Sequence, residues 1–275
     1  MLVMQYKSGG GSAPAAWQPV SVSNLLYNET LSELTVEFIN DVKFSSDGTR
    51  MYFAQADGDE NTMAQYTLTT PWDVRTRTGR QEFNHNGLRK HGWGIEFKPD
   101  GTAVFLLDND DDVIEKFTLG TPWDLSTYSL SQSYSLTANS QTRGLAFSPD
   151  GTKMFTVNNA GDAIIQHNLS VGWDLTTASA GTTQSTAGFN TIPTGININP
   201  AGTIIYLTND STNSVQEIPL STPFDLSTAQ IGSITTTVIG QGVQGPRCIT
   251  FKTSTGDVMY IIDALAPYKI LAFQL

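Results

Sequence analysis

Cysteine is almost missing from this 275-residue chain. Cys248 stands alone, so no disulfide can form within it. Histidine occurs three times, and charged residues make up only 15%. Basic residues are the scarcer kind, 15 Lys and Arg against 26 Asp and Glu, which gives a net charge of −11 and a pI near 4.5. That field repels a phosphate backbone, so no nucleic-acid partner is expected, and the acidity reads as a solubility device. No apolar run approaches the ~20 residues of a membrane span. The N-terminal MLVMQYKSGGGS lacks the apolar core of about 7–15 residues that a secretory signal needs. The expectation is therefore a soluble protein made in the cytoplasm, or one whose export signal is missing from this sequence.

Stretches of Ala, Leu, Glu and Lys at helical period are also missing, whereas Gly, Ser, Thr and Asn abound. Such a composition points to an all-β fold rich in turns. The catalytic signatures G-x-S-x-G, H-E-x-x-H and C-x-x-C do not occur. GQGVQG at 240–245 matches G-x-G-x-x-G, but it runs straight into the strand-like PRCITF. No helix N-terminus follows to receive a pyrophosphate, so it reads as a loop.

What is present is repetition. TPWDV (70–74), TPWDLST (121–127), VGWDLTT (171–177) and TPFDLST (222–228) share one period with a second motif. That motif is VKFSSDGTRMYF from Val42, IEFKPDGTAVFL from Ile95, LAFSPDGTKMFT from Leu145, ININPAGTIIYL from Ile196 and ITFKTSTGDVMYI from Ile249. The steps are 53, 50, 51 and 53 residues, giving five copies. Within each, an apolar strand runs into a turn, which is Asp-Gly in the first three copies and signals a hairpin. A second strand leaves it carrying an aromatic at one register: Tyr52, Phe105, Phe155, Tyr206 or Tyr260. A third strand ends near Leu68, Leu119, Leu169, Leu220 or Leu275, and a Ser/Thr-rich fourth follows the Trp-Asp segment.

Four short antiparallel strands per repeat of this length mark a propeller blade, which must stack on its neighbours to bury both faces. The spacing predicts a five-bladed β-propeller over residues 17–275, with the register aromatics packed from blade to blade. The fifth copy stops at Leu275, before its Trp-Asp segment. The missing part lies at the other end, because Trp17 precedes Val42 by 25 residues, as Phe224 precedes Ile249. Residues 17–41 are thus expected to complete the last blade and close the ring by strand pairing, which removes two exposed edges. In the Trp-Asp segment, the Asp is expected to accept backbone N–H groups of the turn that follows.

Strand direction places the hairpins and Trp-Asp connections on one face. The loops that differ between copies fall on the other, where function is expected. NHNGLRKHGWG (84–94) brings His85, Arg89, His91 and Trp93 there. Arg143 and Arg247 enter with the third and fifth copies, near Asn139, Gln141, Gln241 and Gln244. Aromatic, guanidinium and amide groups around a concave mouth suit a polar ligand such as a glycan. No metal site is expected. Asp57, Asp59 and Asn61 begin like a calcium loop, but Thr62 and Leu68 stand where that loop needs Gly and Glu. Asp110, Asp111 and Asp112 are adjacent and cannot all point inward. Of the residues entering the first strands, Asp41, Gly94, Gly144, Gly195 and Cys248, one is acidic, which argues against a paired-carboxylate glycosidase. Neither catalytic residues nor a cofactor are expected.

Residues 1–16 fall outside the ring. The apolar MLVMQYK, joined by the tether-like SGGGSAPAA, is expected to act as an assembly anchor through Leu2, Val3, Met4 and Tyr6, docking on a partner by strand addition. With FSPDGTKMF and TPWDLST repeated through residues 17–275, the chain resembles bacteriophage-encoded β-propeller repeat proteins. The resemblance implies a virion-associated part, such as a fibre, tail appendage or capsid decoration, held by other virion proteins in a larger assembly. Such a part could present its varied face to a host surface glycan or receptor. A free lectin-like module and a five-bladed glycan hydrolase are the alternatives, and the resemblance supplies no catalytic residues.

Overall fold

A computed structural model of the chain describes residues 20–31, 38–57, 60–84, 92–136, 141–265 and 267–275. These form five four-stranded antiparallel sheets. Strand β1 (Leu25–Thr30) comes first in the chain and belongs to the last sheet. The first blade holds β2 (Phe38–Phe44), β3 (Arg50–Asp57), β4 (Glu60–Leu68) and β5 (Arg77–Asn84). The second holds β6 (Gly92–Phe97), β7 (Ala103–Asp108), β8 (Val113–Leu119) and β9 (Tyr128–Ser135). The third holds β10 (Thr142–Phe147), β11 (Lys153–Asn158), β12 (Ala163–Leu169) and β13 (Ala178–Ser185). The fourth holds β14 (Pro193–Ile198), β15 (Ile204–Asn209), β16 (Ser214–Pro219) and β17 (Thr235–Val238). The fifth holds β18 (Pro246–Phe251), β19 (Val258–Asp263) and β20 (Lys269–Gln274), with β1 outermost. The first strands touch in a cycle, β2 to β6, β10, β14, β18 and back to β2. The molecule is a five-bladed β-propeller.

Closure is as the spacing predicts. β1 lies antiparallel to β20, with Asn28 opposite Leu271, and the pairing extends through Gln274 N–H to Asn24 O at 2.9 Å. Leu275 N–H donates to Asp257 O, so the chain leaves β20 on the hairpin face. The segment before β1 makes a contact related to one found in the repeats. Third- or fourth-strand amides receive the N–H two residues after Trp123, Trp173 and Phe224: Gln65 from Leu125, Gln132 from Leu175, and Gln166 from Leu226, whereas Val74 N–H, after Trp72, goes to Tyr27 Oη at 3.4 Å. Glu217 of β16 receives the N–H of Val20 at 3.3 Å, one residue later in the register, because Pro19 stands two residues after position 17 and has no N–H to donate. Trp17 and the anchor residues Leu2, Val3, Met4 and Tyr6 lie outside the described residues.

The register aromatics carry the packing between blades. Tyr52, Phe105, Phe155, Tyr206 and Tyr260 are all essentially buried. Tyr52 meets Phe97 of the second blade at 4.4 Å, and Tyr260 meets Phe44 of the first at 4.7 Å. Each ring contributes ~1.5–3 kcal/mol by burial, with edge or stacking contacts adding to it. Their hydroxyls reach further, Tyr52 to Trp123 O at 2.6 Å and Tyr260 to Trp72 O at 2.8 Å. Those carbonyls are available because Trp72, Trp123, Trp173 and Phe224 sit at positive φ, between 55° and 66°. The backbone there is held by an N–H bond to the hairpin glycine carbonyl and by the Asp that follows. Asp73, Asp124, Asp174 and Asp225 each accept the N–H two residues on, at 3.0–3.1 Å. The Trp-Asp segment is thus a clasp between hairpin, fourth strand and preceding blade.

His167 is a core residue of β12. Its ring lies between Tyr134 Oη at 3.3 Å and Thr156 Oγ1 at 3.0 Å, and burial pushes its pKa down to about 4.

Candidate functional site

Each first strand begins with an irregularity at the same place. Pairing with the second strand slips between Ile39 and Asp41, Gly92 and Gly94, Thr142 and Gly144, Pro193 and Ile196, and Pro246 and Cys248. The residues extruded are Asn40, Trp93, Arg143, Thr194 with Gly195, and Arg247. A bulge turns a side chain out of the alternating pattern, and bulges collect at barrel rims and binding sites for that reason. Here five of them ring the axis on the varied face.

Two of the five tie blades together. Asn40 Nδ2 donates to Gly92 O at 2.9 Å, and Thr194 Oγ1 donates to Pro246 O at 2.6 Å. The other three meet over one ring. The guanidinium carbon of Arg143 lies 4.7 Å from the Trp93 centroid, and that of Arg247 lies 5.1 Å from it. Arg247 also faces Asp210 at 3.8 Å. Burial, and then the like charge of Arg247, lowers the Arg143 pKa to about 10. Burial also lowers Arg247, with Asp210 opposing. Both Nε atoms are buried without a hydrogen-bond partner among the described residues.

In the next layer down, adjacent first strands approach one another closely. A Cβ on Gly144 would lie 3.0 Å from Ile196 of the neighbouring strand, and one on Gly195 would lie 2.6 Å from Arg247 O. Glycine is needed there because adjacent first strands approach so closely. Asp41 stands at the same level in the first blade, and its carboxylate accepts Val42 N–H at 2.8 Å and Ile95 N–H at 3.0 Å. Burial pushes its pKa up to about 6, against Lys43 and those bonds. Lys43 contacts Glu96 at 3.2 Å and Asp41 at 3.9 Å. Burial opposes its charge, yet the two carboxylates hold its pKa above the ordinary value. Asp41 therefore has a structural task, joining the first blade to the second.

Of the residues singled out in the sequence, the structure brings Trp93, Arg143 and Arg247 together. His85, Arg89 and His91 lie outside the described residues, as do the side chains of Asp57, Asp59 and Asn61. Asp108 Oδ1 accepts the N–H of Asp110 and of Asp111, so the acidic loop 108–112 is a turn that caps itself. Gln141 is exposed and receives Asn159 Nδ2 at 3.3 Å. Gly240, Gln241 and Gly242 all have positive φ, which fits a turn-rich loop. Asn40, Thr194 and Asp210 were not foreseen. The first two stand two residues before Val42 and Ile196, as Trp93, Arg143 and Arg247 stand before Ile95, Leu145 and Ile249, so the repeat register could have found them.

A second concavity lies on the hairpin face. It has a volume of about 300 Å³, and its lining includes Lys43, Glu96, Phe97, Phe147, Ile198 and Phe251. All five first strands reach it, which places it on the ring axis at the hairpin end. The sequence pattern assigns that face to scaffold, and the cavity is walled by the same aromatics that hold the blades.

No family model and no curated protein matches the chain. Similar solved structures share the fold at low identity. One is a Bacteroides fragilis "putative 6-phosphogluconolactonase", 13% identical, covering 91% of this chain and 96% of that one with a TM-score of 0.51. Another belongs to the crystal structure of a nidogen/laminin complex, 15% identical, covering 82% and 72% with a TM-score of 0.52. A functionally unknown protein from Desulfotomaculum acetoxidans is 15% identical over 83% of this chain, with a TM-score of 0.48, and this chain spans 63% of its length. Among the described residues, no helix is long and apolar enough to cross a membrane.

Proposed function

We propose that the chain is a non-enzymatic component of a phage virion, a propeller that displays its varied face to host surface glycans. One observation carries the binding half of this reading. In all five blades a bulge lifts a residue out of the first strand toward the mouth, and three of those residues form a Trp–Arg–Arg cluster. An aromatic ring and guanidinium forks set on strands rather than loop tips make a rigid platform for a polar ligand. The non-enzymatic half is supported by the use of Asp41, whose buried carboxylate accepts two backbone N–H groups in the glycine layer beneath the mouth. The virion half rests on the motif resemblance, with residues 1–16 as the anchor to other virion proteins.

Two measurements test it. The isolated propeller should bind a subset of a glycan array and lose that binding with Trp93→Ala; unchanged binding would remove the mouth from consideration. The protein should co-purify at fixed stoichiometry with particles, and deletion of residues 1–8 should abolish incorporation while leaving the fold intact. Absence from purified particles would leave the lectin-like reading alone. Release of reducing ends from a bound glycan would overturn the non-enzymatic reading.

A further inference from the structure

We infer that the axial mouth selects saccharides bearing a single acidic group, a carboxylate or a sulfate ester. This rests on the glycan-binding reading above and adds the ligand's charge to it.

The charge balance of the mouth is opposite to that of the molecule. Over the whole chain, 26 acidic residues outnumber 15 basic ones. At the mouth, Arg143 and Arg247 face one described carboxylate, Asp210, and only Arg247 pairs with it. Two guanidiniums held together and partly buried repel each other and lose water. Lost water lowers both pKa values, and the like charge of Arg247 lowers that of Arg143 further. Such an arrangement is stable only if something offsets it. The Trp93 ring does so in part, through cation–π contact with both.

The remaining deficit is specific. Arg143 Nε and Arg247 Nε are buried donors with no acceptor among the described residues. A buried donor left unmade costs more than a made bond contributes, so an acceptor entering the mouth gains on both counts. An oxyanion with two or more oxygens fits the planar fork of a guanidinium better than a hydroxyl does. The forks are already oriented by Trp93 and by their bulges, so little ordering is required on binding.

The same charges limit the ligand's length. Outside the mouth the field of a −11 protein repels a polyanion, and screening confines the local attraction to about 8 Å at physiological salt. One acidic group on a sugar meets the local excess without incurring the distant repulsion.

The test compares methyl glucoside, methyl glucuronide and glucose 6-sulfate by titration calorimetry on the full chain, beside a single-stranded oligonucleotide. The glucuronide or the sulfate, whichever source of negative charge the mouth prefers, should bind at least about tenfold more tightly than the glucoside. That preference should vanish with Arg143→Gln and with Arg247→Gln, each checked for an unchanged melting curve. Arg143→Lys should recover part of it, and affinity should fall as salt rises. If the glucoside binds as well as the acids and binding is lost only with Trp93→Ala, the selectivity is refuted while glycan binding stands. If the oligonucleotide binds more tightly than either acid, the single-charge inference fails. If nothing binds, both readings fail.

Discussion

Gly101 and Gly79 offer a controlled measurement of the clasp that repeats around the ring. Both have positive φ, 72° and 63°. A Cβ on Gly79 would meet nothing within 4 Å, whereas one on Gly101 would lie 2.3 Å from the indole of Trp123. Gly79→Ala should therefore cost only the backbone penalty, about 1–2 kcal/mol. Gly101→Ala carries the same penalty and must also displace the indole, adding about 1–3 kcal/mol of overpacking. Moving Trp123 disturbs its stacking on Phe97 at 5.2 Å and the bond from Tyr52 Oη to its carbonyl, worth a further ~1 kcal/mol. The expected losses are about 1–2 kcal/mol for Gly79→Ala and about 3–6 kcal/mol for Gly101→Ala. Urea unfolding with matched m-values reads both. In a Trp123→Ala background most of the excess should disappear, because the indole is the obstacle. Equal losses at the two glycines, or an excess that survives removal of Trp123, would refute the reasoning.

Three further outcomes are expected. His167 has a folded pKa of about 4 against an ordinary value of 6.5, so the unfolded chain takes up its proton first as pH falls through that window. Stability should decline by on the order of 3 kcal/mol between pH 6.5 and 4 on this account. Denaturation of His167→Gln at pH 7.5 and 4.5 should show that much less decline than the wild type; an identical decline would exclude the histidine. Lys43→Met should cost about 3–5 kcal/mol by leaving Asp41 and Glu96 without their cation. Asp41 is raised already, so the deficit should grow as pH rises from 5 to 8, and adding Asp41→Asn should reverse much of it in unfolding measurements. Deleting residues 1–31 exposes β20 as an edge strand, and self-association on a sizing column with a lowered melting temperature is expected. A monomeric truncation with an unchanged melting curve would contradict the pairing of β1 with β20.

Much of the fold was legible because its signals are local and repeated. Asp-Gly hairpins, the aromatic after each hairpin and the Trp-Asp clasp recur at a fixed spacing, and that spacing also exposed the missing segment now seen as β1. The mouth was legible only in part. Trp93, Arg143 and Arg247 could be named because aromatic and cationic residues draw attention on a varied face. Asn40 and Thr194 occupy the same register but share no chemistry with them, and their common bulge is a property of strand pairing that residue types do not announce. Asp41 was read as the one acid near the axis. Its role emerged only when the neighbouring strand brought Ile95 N–H to it. The lower cavity was missed for a related reason: it is an opening left between five packed strand ends, and no single repeat encodes it.

The pairing of β1 with β20 fixes an orientation as well as a closure. Asn24 and Leu275 both lie on the hairpin side, opposite the mouth, so a surface that held the disc by its hairpin face would leave the mouth pointing away. Several copies held on one carrier would face the same direction. Weak single contacts could then add up to strong avidity, by factors of about 10²–10⁴ when neighbouring mouths reach the same surface.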